Sequence, residues 1–413
     1  MRRIQALIIL ISSAFLIVQC TESTSPDHDD RRQPEDLTTS ELDMVQSTTD
    51  FSFNLFREVL AESDPNENIF ISPLSISFAL GMTYNGAAGE TREAIANTLE
   101  MNGMSIEEVN EAYRGLIDFL VNYDPQVIME IANSIWYRQG EKVDSTFIEL
   151  NKTYFDALVK ELDFNSSEAT DIINEWVNDN THGKIEEIID SPINPMTVMF
   201  LINAIYFKAD WRYIFDENDT QTGTFTRSDS SKVDCRMMSN ETDYRVMHSD
   251  QTQAIRLPYG RETYCMTVLL PDPGVQLQTL VDNLDDNNWT TWQNNLEKEA
   301  TTLYMPKFKF EYETGLNTAL KALGMEIAFN PSQADFSNMF PLVDVYIDSV
   351  IHKTFVQVDE KGTEAAAVTA VEVGYTSGPN TISIDRSFIF VIHERVSGAI
   401  LFMGRVANPV WED

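Results

Sequence analysis

The sequence predicts an α+β fold, on three observations. Helix signals come early in the chain, strand signals come late, and the strands fall into antiparallel-looking hairpins instead of strand-helix-strand units. With 413 residues, 43% of them hydrophobic, the chain can bury a large core, and it shows no repeat at solenoid or propeller spacing.

The early helices are marked by their ends. Ser72 followed by Pro73 supplies an N-cap and a first-turn proline for LSISFALGMTYNG, which stops at Gly86. Ser105 and Glu108 form a capping box ahead of a helix whose Val109, Tyr113, Leu116, Ile117 and Leu120 share one face. DIINEWVNDNTHG carries Ile172, Ile173, Trp176 and Val177 and closes near Gly183.

The strands follow. VMFLINAIYFKADW is a near-continuous apolar run with one buried-looking polar residue, Asn203, and AIRLPYG, YCMTVLLP and TLYMPKFKFEY come after it. FIFVIHE pairs with AILFMGRV across Val396, Ser397 and Gly398. These long strands read as buried on both faces. In VIHKTFVQVDEKG, alternation puts Val350, His352, Thr354, Val356 and Val358 together. His352 on such an apolar face must find a hydrogen-bond partner, with Asn203 and a serine of the Ser72–Ser75 turn as candidates. That reads as a satisfied core histidine and not a catalytic one.

Residues 1–20 read as a signal peptide: Arg2 and Arg3 precede an apolar run, Ile4 to Val18, shorter than the roughly 20 residues of a spanning helix. The chain is therefore expected to be exported. The run ends in FLIVQC, where Cys20 is similar to the lipidation site of bacterial lipoproteins and would give a membrane tether; plain secretory cleavage nearby is the alternative. Residues 21–45 read as a flexible polar tether and 46–413 as one domain. With 29 Lys plus Arg against 65 Asp plus Glu, the net charge of -36 repels nucleic acid and excludes it as a partner. Cys235 and Cys265 read as buried thiols whose pairing is open, and without a CxxC or Cys/His cluster no metal or other cofactor is expected.

One stretch, EKGTEAAAVTAVEVGYTSGPNTISID from Glu360 to Asp385, has a helix-favouring first half beside a Gly/Pro loop. Taken as a strand, its alternate positions Thr363, Ala365, Ala367, Thr369, Val371 and Val373 make an uncharged face, small first and bulkier later. Glu364 and Glu372 fall on the other face. Such a ribbon can slip between two strands of a sheet without a clash.

At this point the chain resembles the serpins, from about Thr48 to Pro409. NIFISPLSISFALGMTYNGAAGET, NEWVNDNTHGKI, LINAIYFKADW, YMPKFKFEY, VIHKTFVQVDEKGTEAAA and FIFVIHERVSGAILFMGRVANP look like serpin segments in serpin order. The resemblance implies a large central, mostly antiparallel sheet with further sheets, about eight or nine helices and an exposed reactive loop. It implies an inhibitor of serine, or alternatively cysteine, endopeptidases that inserts its cleaved loop into the central sheet and traps the acyl-enzyme; a non-inhibitory binding or chaperone-like member is the alternative. It also implies no catalytic residues, and the sequence agrees, having five histidines and no GxSxG elbow.

Carried over residue by residue, the hinge is Glu360, Gly362, Thr363, Ala365, Ala366, Ala367 and Thr369. The attacked bond is Thr376–Ser377, with cleavage after Tyr375 as the alternative. Ser72, Ser75, Asn203 and His352 match the polar cluster beneath the sheet opening, and Trp211 with Lys307 and Glu360 matches the site where insertion begins. The partner implied is a target protease, elastase-like first and chymotrypsin-like or papain-like otherwise, met by a monomer.

Overall fold

The computed structural model describes residues 33–249, 251–363 and 380–411. Helix α1 (Thr39–Glu62) starts inside the stretch read above as tether. Its start is fixed by a capping box in which the Thr38 N–H donates to the Glu41 carboxylate at 2.7 Å and the Glu41 N–H to the Thr38 hydroxyl at 3.3 Å. The polar composition around this Thr-x-x-Glu hides it in sequence. After β1 (Ile69–Ile71), α2 (Pro73–Gly86) starts on Ser72, whose hydroxyl accepts the Ser75 N–H at 3.2 Å. Apolar on nearly every side, α2 is a core helix. Next come α3 (Gly89–Thr98) and α4 (Ile106–Asn122), which carries the expected Ser105/Glu108 box and buries the predicted face.

The middle of the chain runs β2 (Val127–Arg138), α5 (Ser145–Phe155), β3 (Leu158–Leu162), α6 (Ser167–Asn180) and β4 (Met199–Asp210). Then follow β5 (Gln221–Thr226), β6 (Lys232–His248), β7 (Thr252–Pro258), β8 (Tyr264–Pro271), α7 (Leu277–Asp282), α8 (Asp286–Asn294) and β9 (Glu297–Pro306). The rest is β10 (Phe308–Gly315), α9 (Asn317–Leu320), β11 (Ile351–Val358), the two-residue β12 (Gly362–Thr363), β13 (Asn380–Ser383), β14 (Phe388–Glu394) and β15 (Ile400–Val406).

These strands make two sheets. The nine-stranded one runs β1-β15-β14-β8-β7-β6-β9-β13, with β5 also paired to β6; the six-stranded one runs β10-β11-β12-β4-β2-β3. Pairing is antiparallel except for β2 with β3 and β13 with β9. The main core holds α1, α2 and α4 against both sheets, while α6 packs on the opposite face of the six-stranded sheet through Ile173 and Val177, against Trp136 and Ile202.

β8, β14 and β15 are buried along their whole length, as read from sequence. β4 is not: Met199, Phe200, Leu201, Asn203 and Ile205 are only partly covered. The reason is its neighbour. Among the described residues no ladder joins β4 directly to β11; only the two residues of β12 lie between them. Cys235 and Cys265 are buried free thiols.

Candidate functional site

The site is the gap that β12 closes at one end. Val358 of β11 leads into a turn at Asp359, whose carboxylate accepts the N–H of Lys361 at 3.0 Å and that of Gly362 at 3.4 Å. The segment that follows β4 holds the turn by its carbonyls. The Trp211 indole N–H donates to the Asp359 carbonyl at 2.9 Å, the Phe215 N–H to that of Glu360 at 2.8 Å, and the Trp211 N–H to that of Lys361 at 2.7 Å.

Gly362 then pairs with Asp210, and Thr363 with both Ala209 and Val358. A Cβ on Gly362 would meet the Ala209 carbonyl and the Asp210 Cα, so only glycine fits this close approach. Thr363 is buried, with its hydroxyl 2.7 Å from that of Tyr259. Tyr259 in turn stacks on Trp211, ring centroids 4.4 Å apart.

Above the turn lies an ion pair. Lys307 Nζ is 2.7 Å from Glu360 Oε2, and the Thr220 hydroxyl donates to Glu360 Oε1 at 2.7 Å. Burial pushes the Glu360 carboxyl up, but the bonds from Lys307 and Thr220 outweigh it and hold the group below its usual value. Lys307 also lies over the ring of Trp411, 4.7 Å from its centroid, and the Lys309 N–H donates to the Val410 carbonyl at 2.9 Å, so the C-terminal segment straps this corner.

Below Thr363 a cavity of about 50 Å³ separates β4 from β11, with Ser72, Ser75, Asn203 and His352 in its wall. His352 Nε2 accepts the Ser72 N–H at 2.9 Å, the Ser72 hydroxyl donates to the Leu401 carbonyl at 2.8 Å, and the Ser75 hydroxyl reaches the Asn203 carbonyl at 3.4 Å. Accepting that bond requires a neutral Nε2, and burial pushes the imidazole down to about 3. Asn203 is not a partner of His352: its amide donates to Asn133 at 2.8 Å, and its Oδ1, buried, has no donor.

Sequence reasoning thus named residues that do lie together: Trp211, Lys307, Glu360, Gly362 and Thr363 at one end, and Ser72, Ser75, Asn203 and His352 further down. It missed Tyr259, Thr220, Asn133 and Trp411. Their partners are distant in the chain, and nothing in VANPVWED signals a strap. Ala365, Ala366, Ala367, Thr369, Tyr375, the Thr376–Ser377 bond and Cys20 lie outside the described residues. The other histidines within them are structural or exposed: His393 is buried beside Thr267 and Cys265, while His182 and His248 face Glu130 and Glu299.

The family model for serpins (serine protease inhibitor) matches residues 46–409. The chain belongs to the serpin family. Human Serpin B9 is 34% identical over 370 residues, covering 87% of this chain and 97% of that protein. An uncharacterized serpin-like protein of Thermococcus kodakarensis is 33% identical over 380 residues, 89% of this chain and 86% of its own. Among solved structures, the thermophilic serpin tengpin in its native state matches with TM-score 0.81 and 30% identity over 92% of this serpin and 96% of that chain. Human thyroxine-binding globulin, solved with its ligand, matches with TM-score 0.81 and 30% identity over 90% and 100%. Serpins are in general inhibitors of proteases and not enzymes, and the second of these structures belongs to a member named for binding thyroxine.

Proposed function

We propose that this serpin is a suicide-substrate inhibitor of serine endopeptidases, with papain-like cysteine proteases as a second class. The observation that carries the reading is β12: of the hinge residues, Gly362 already pairs with β4 and Thr363 with both β4 and β11. Continuing both registers would set Ala365 opposite Phe207 and Val356, Ala367 opposite Ile205 and Thr354, and Thr369 opposite Asn203 and His352. Val373 would then reach Met199, the far end of β4. The inserting face is small or uncharged at every one of these positions. From Thr363 to Thr376 the loop can span roughly 45 Å when extended, against the roughly 50 Å diameter expected of a compact domain of this size.

On this reading a protease attacks Thr376–Ser377, the loop enters the sheet as a new strand, and the tethered acyl-enzyme is carried away from its resting place before water can release it. The free inhibitor is held by a barrier, not by lying lowest in energy. A threonine before the bond favours elastase-like targets. Incubation with an elastase-like protease is expected to give an SDS-stable complex and a released C-terminal peptide starting at Ser377. Plain cleavage without a complex would instead assign the chain to the non-inhibitory members, and a peptide starting at Thr376 would move the bond to Tyr375.

We further propose that the chain is exported, that Cys20 carries lipid and tethers a monomeric inhibitor to the envelope, and that residues before the folded part act as the tether. Metabolic labelling with a radioactive fatty acid tests this: label lost on Cys20→Ala is expected, and an unlabelled wild-type chain rules it out.

A further inference from the structure

The gap between β4 and β11 has a second face. Thr363 points into the core beside Tyr259, so a strand continuing from it turns its alternate residues, beginning with Glu364, toward the face on which α6 packs. Continuing the two registers of Thr363, with Ala209 on one side and Val358 on the other, sets position 364 between Lys208 of β4 and Gln357 of β11. Beyond Gln357 the next member of that row is its ladder partner, Lys309 of β10. The row thus carries one lysine on each side of the place that position 364 would take.

Both lysines are half-buried, and among the described residues no carboxylate ion-pairs with either. The carboxylates nearest along the same face are taken. Glu130 of β2 pairs with His182 at 2.7 Å, Glu311 of β10 with Lys353 at 3.4 Å, and Asp210 has a partner of its own. Gln357 is neutral, and its amide donates to the Asp359 carboxylate at 3.0 Å. In a chain with 65 acidic residues against 29 basic ones, two unanswered and partly desolvated lysines flanking one position need a reason.

We propose that Lys208, with Lys309 beyond Gln357, is the receptor for the Glu364 carboxylate as the loop enters the sheet. The inference rests on the reading of this chain as one whose loop inserts. Glu364 and Lys208 would be direct cross-strand partners, the placement in which opposite charges attract and like charges repel. The contact exists only once the strand is in, so it favours insertion over the held-out loop. It also checks register, because a slip by one residue would bring Thr363 or Ala365 beside Lys208 instead. The other outward carboxylate, Glu372, falls by the same register beside Phe200 of β4 and not beside a lysine.

Melting temperatures of the intact protein and of the protein cut once in its loop, measured for wild type and charge variants, test the pair. A cut wild type that melts above the intact one shows insertion itself; no rise overturns the insertion reading and this inference together. With that rise in hand, Lys208→Glu and Glu364→Lys are each expected to shrink it by about 2 °C or more. Combining the two exchanges is expected to restore most of the loss, and Lys208→Gln, which drops the attraction without adding repulsion, to fall between wild type and Lys208→Glu. Each variant's own intact form is its reference, so a general loss of stability does not enter the difference. A full rise in both single reversals, or a double exchange no better than either single one, overturns the pairing and leaves insertion standing.

Discussion

The hydroxyl of Thr363 lies 2.7 Å from that of Tyr259, both buried, so the first inward side chain of the hinge already has its partner inside the sheet. The bond fixes the strand phase of everything that follows: residues two, four and six positions on face the same way. It also defines what the position tolerates.

Thr363→Arg would place an unpaired charge in that slot and leave Tyr259 without its bond. The variant is expected to become a substrate: cut at the normal rate, with the yield of SDS-stable complex falling at least about tenfold. Undiminished complex formation would show that Thr363 does not lead the insertion.

Gly362→Ala brings a Cβ onto the Ala209 carbonyl and the Asp210 Cα. Backbone cannot retreat there as a flexible side chain could, so the short strand should leave the sheet at a cost of about 1–3 kcal/mol. Limited proteolysis reads this directly, and faster cleavage near Gly362 with little change elsewhere is expected.

Lys307→Met removes the cation from Glu360, leaving a buried carboxylate with the Thr220 hydroxyl and its own backbone N–H but no countercharge. Breaking such a pair costs about 3 kcal/mol, and Trp411→Ala, which removes only the ring beneath Lys307, about 1 kcal/mol. Both should hasten loss of inhibitory activity on warm storage, Lys307→Met the more. Equal storage lives for both variants and wild type would mean that this corner does not set the barrier.

Acid should weaken the fold through His352. Its folded pKa is pushed to about 3 by burial, below the ordinary 6.5 that it regains on unfolding. Between those values the unfolded chain binds a proton that the folded one does not, so stability falls as pH drops below about 6.5, by roughly 1.4 kcal/mol per unit of difference in pKa. Above that window the group has no effect. His393, pushed down to about 3 mainly by burial, adds the same sign. Glu360, held below 4.5, acts in a separate and lower window: its contribution is present above that value and lost as pH falls through its folded pKa. Melting temperature from pH 8 to pH 4 should therefore decline, and more shallowly in His352→Asn; parallel curves for the two proteins would exclude the histidine as the cause.

Local signals were legible in the sequence and distant pairings were not. The Ser105/Glu108 box and the buried alternation of β11 depend only on neighbours in the chain, and both formed as read. The Thr38/Glu41 box was equally local, but polar neighbours disguised it as tether. His352 was legible as a histidine in need of a donor. That the donor is the Ser72 N–H, while Asn203 turns to Asn133, depends on how α2 meets the sheet. Tyr259 is 104 residues from Thr363, and no periodicity links them. The partial cover of β4 was illegible for the same reason: its apolar run implies a partner on each side, and one of those places is taken by only two residues.

The central claim is that the place between β4 and β11 accepts the reactive loop as a full strand. Thermal unfolding of the intact protein, compared with the protein cut once in its loop by a catalytic amount of protease, tests it most directly. The account predicts that the cut protein melts well above the intact one, because the freed loop extends β12 down the length of β4. A cut protein that melts at or below the intact temperature would contradict it.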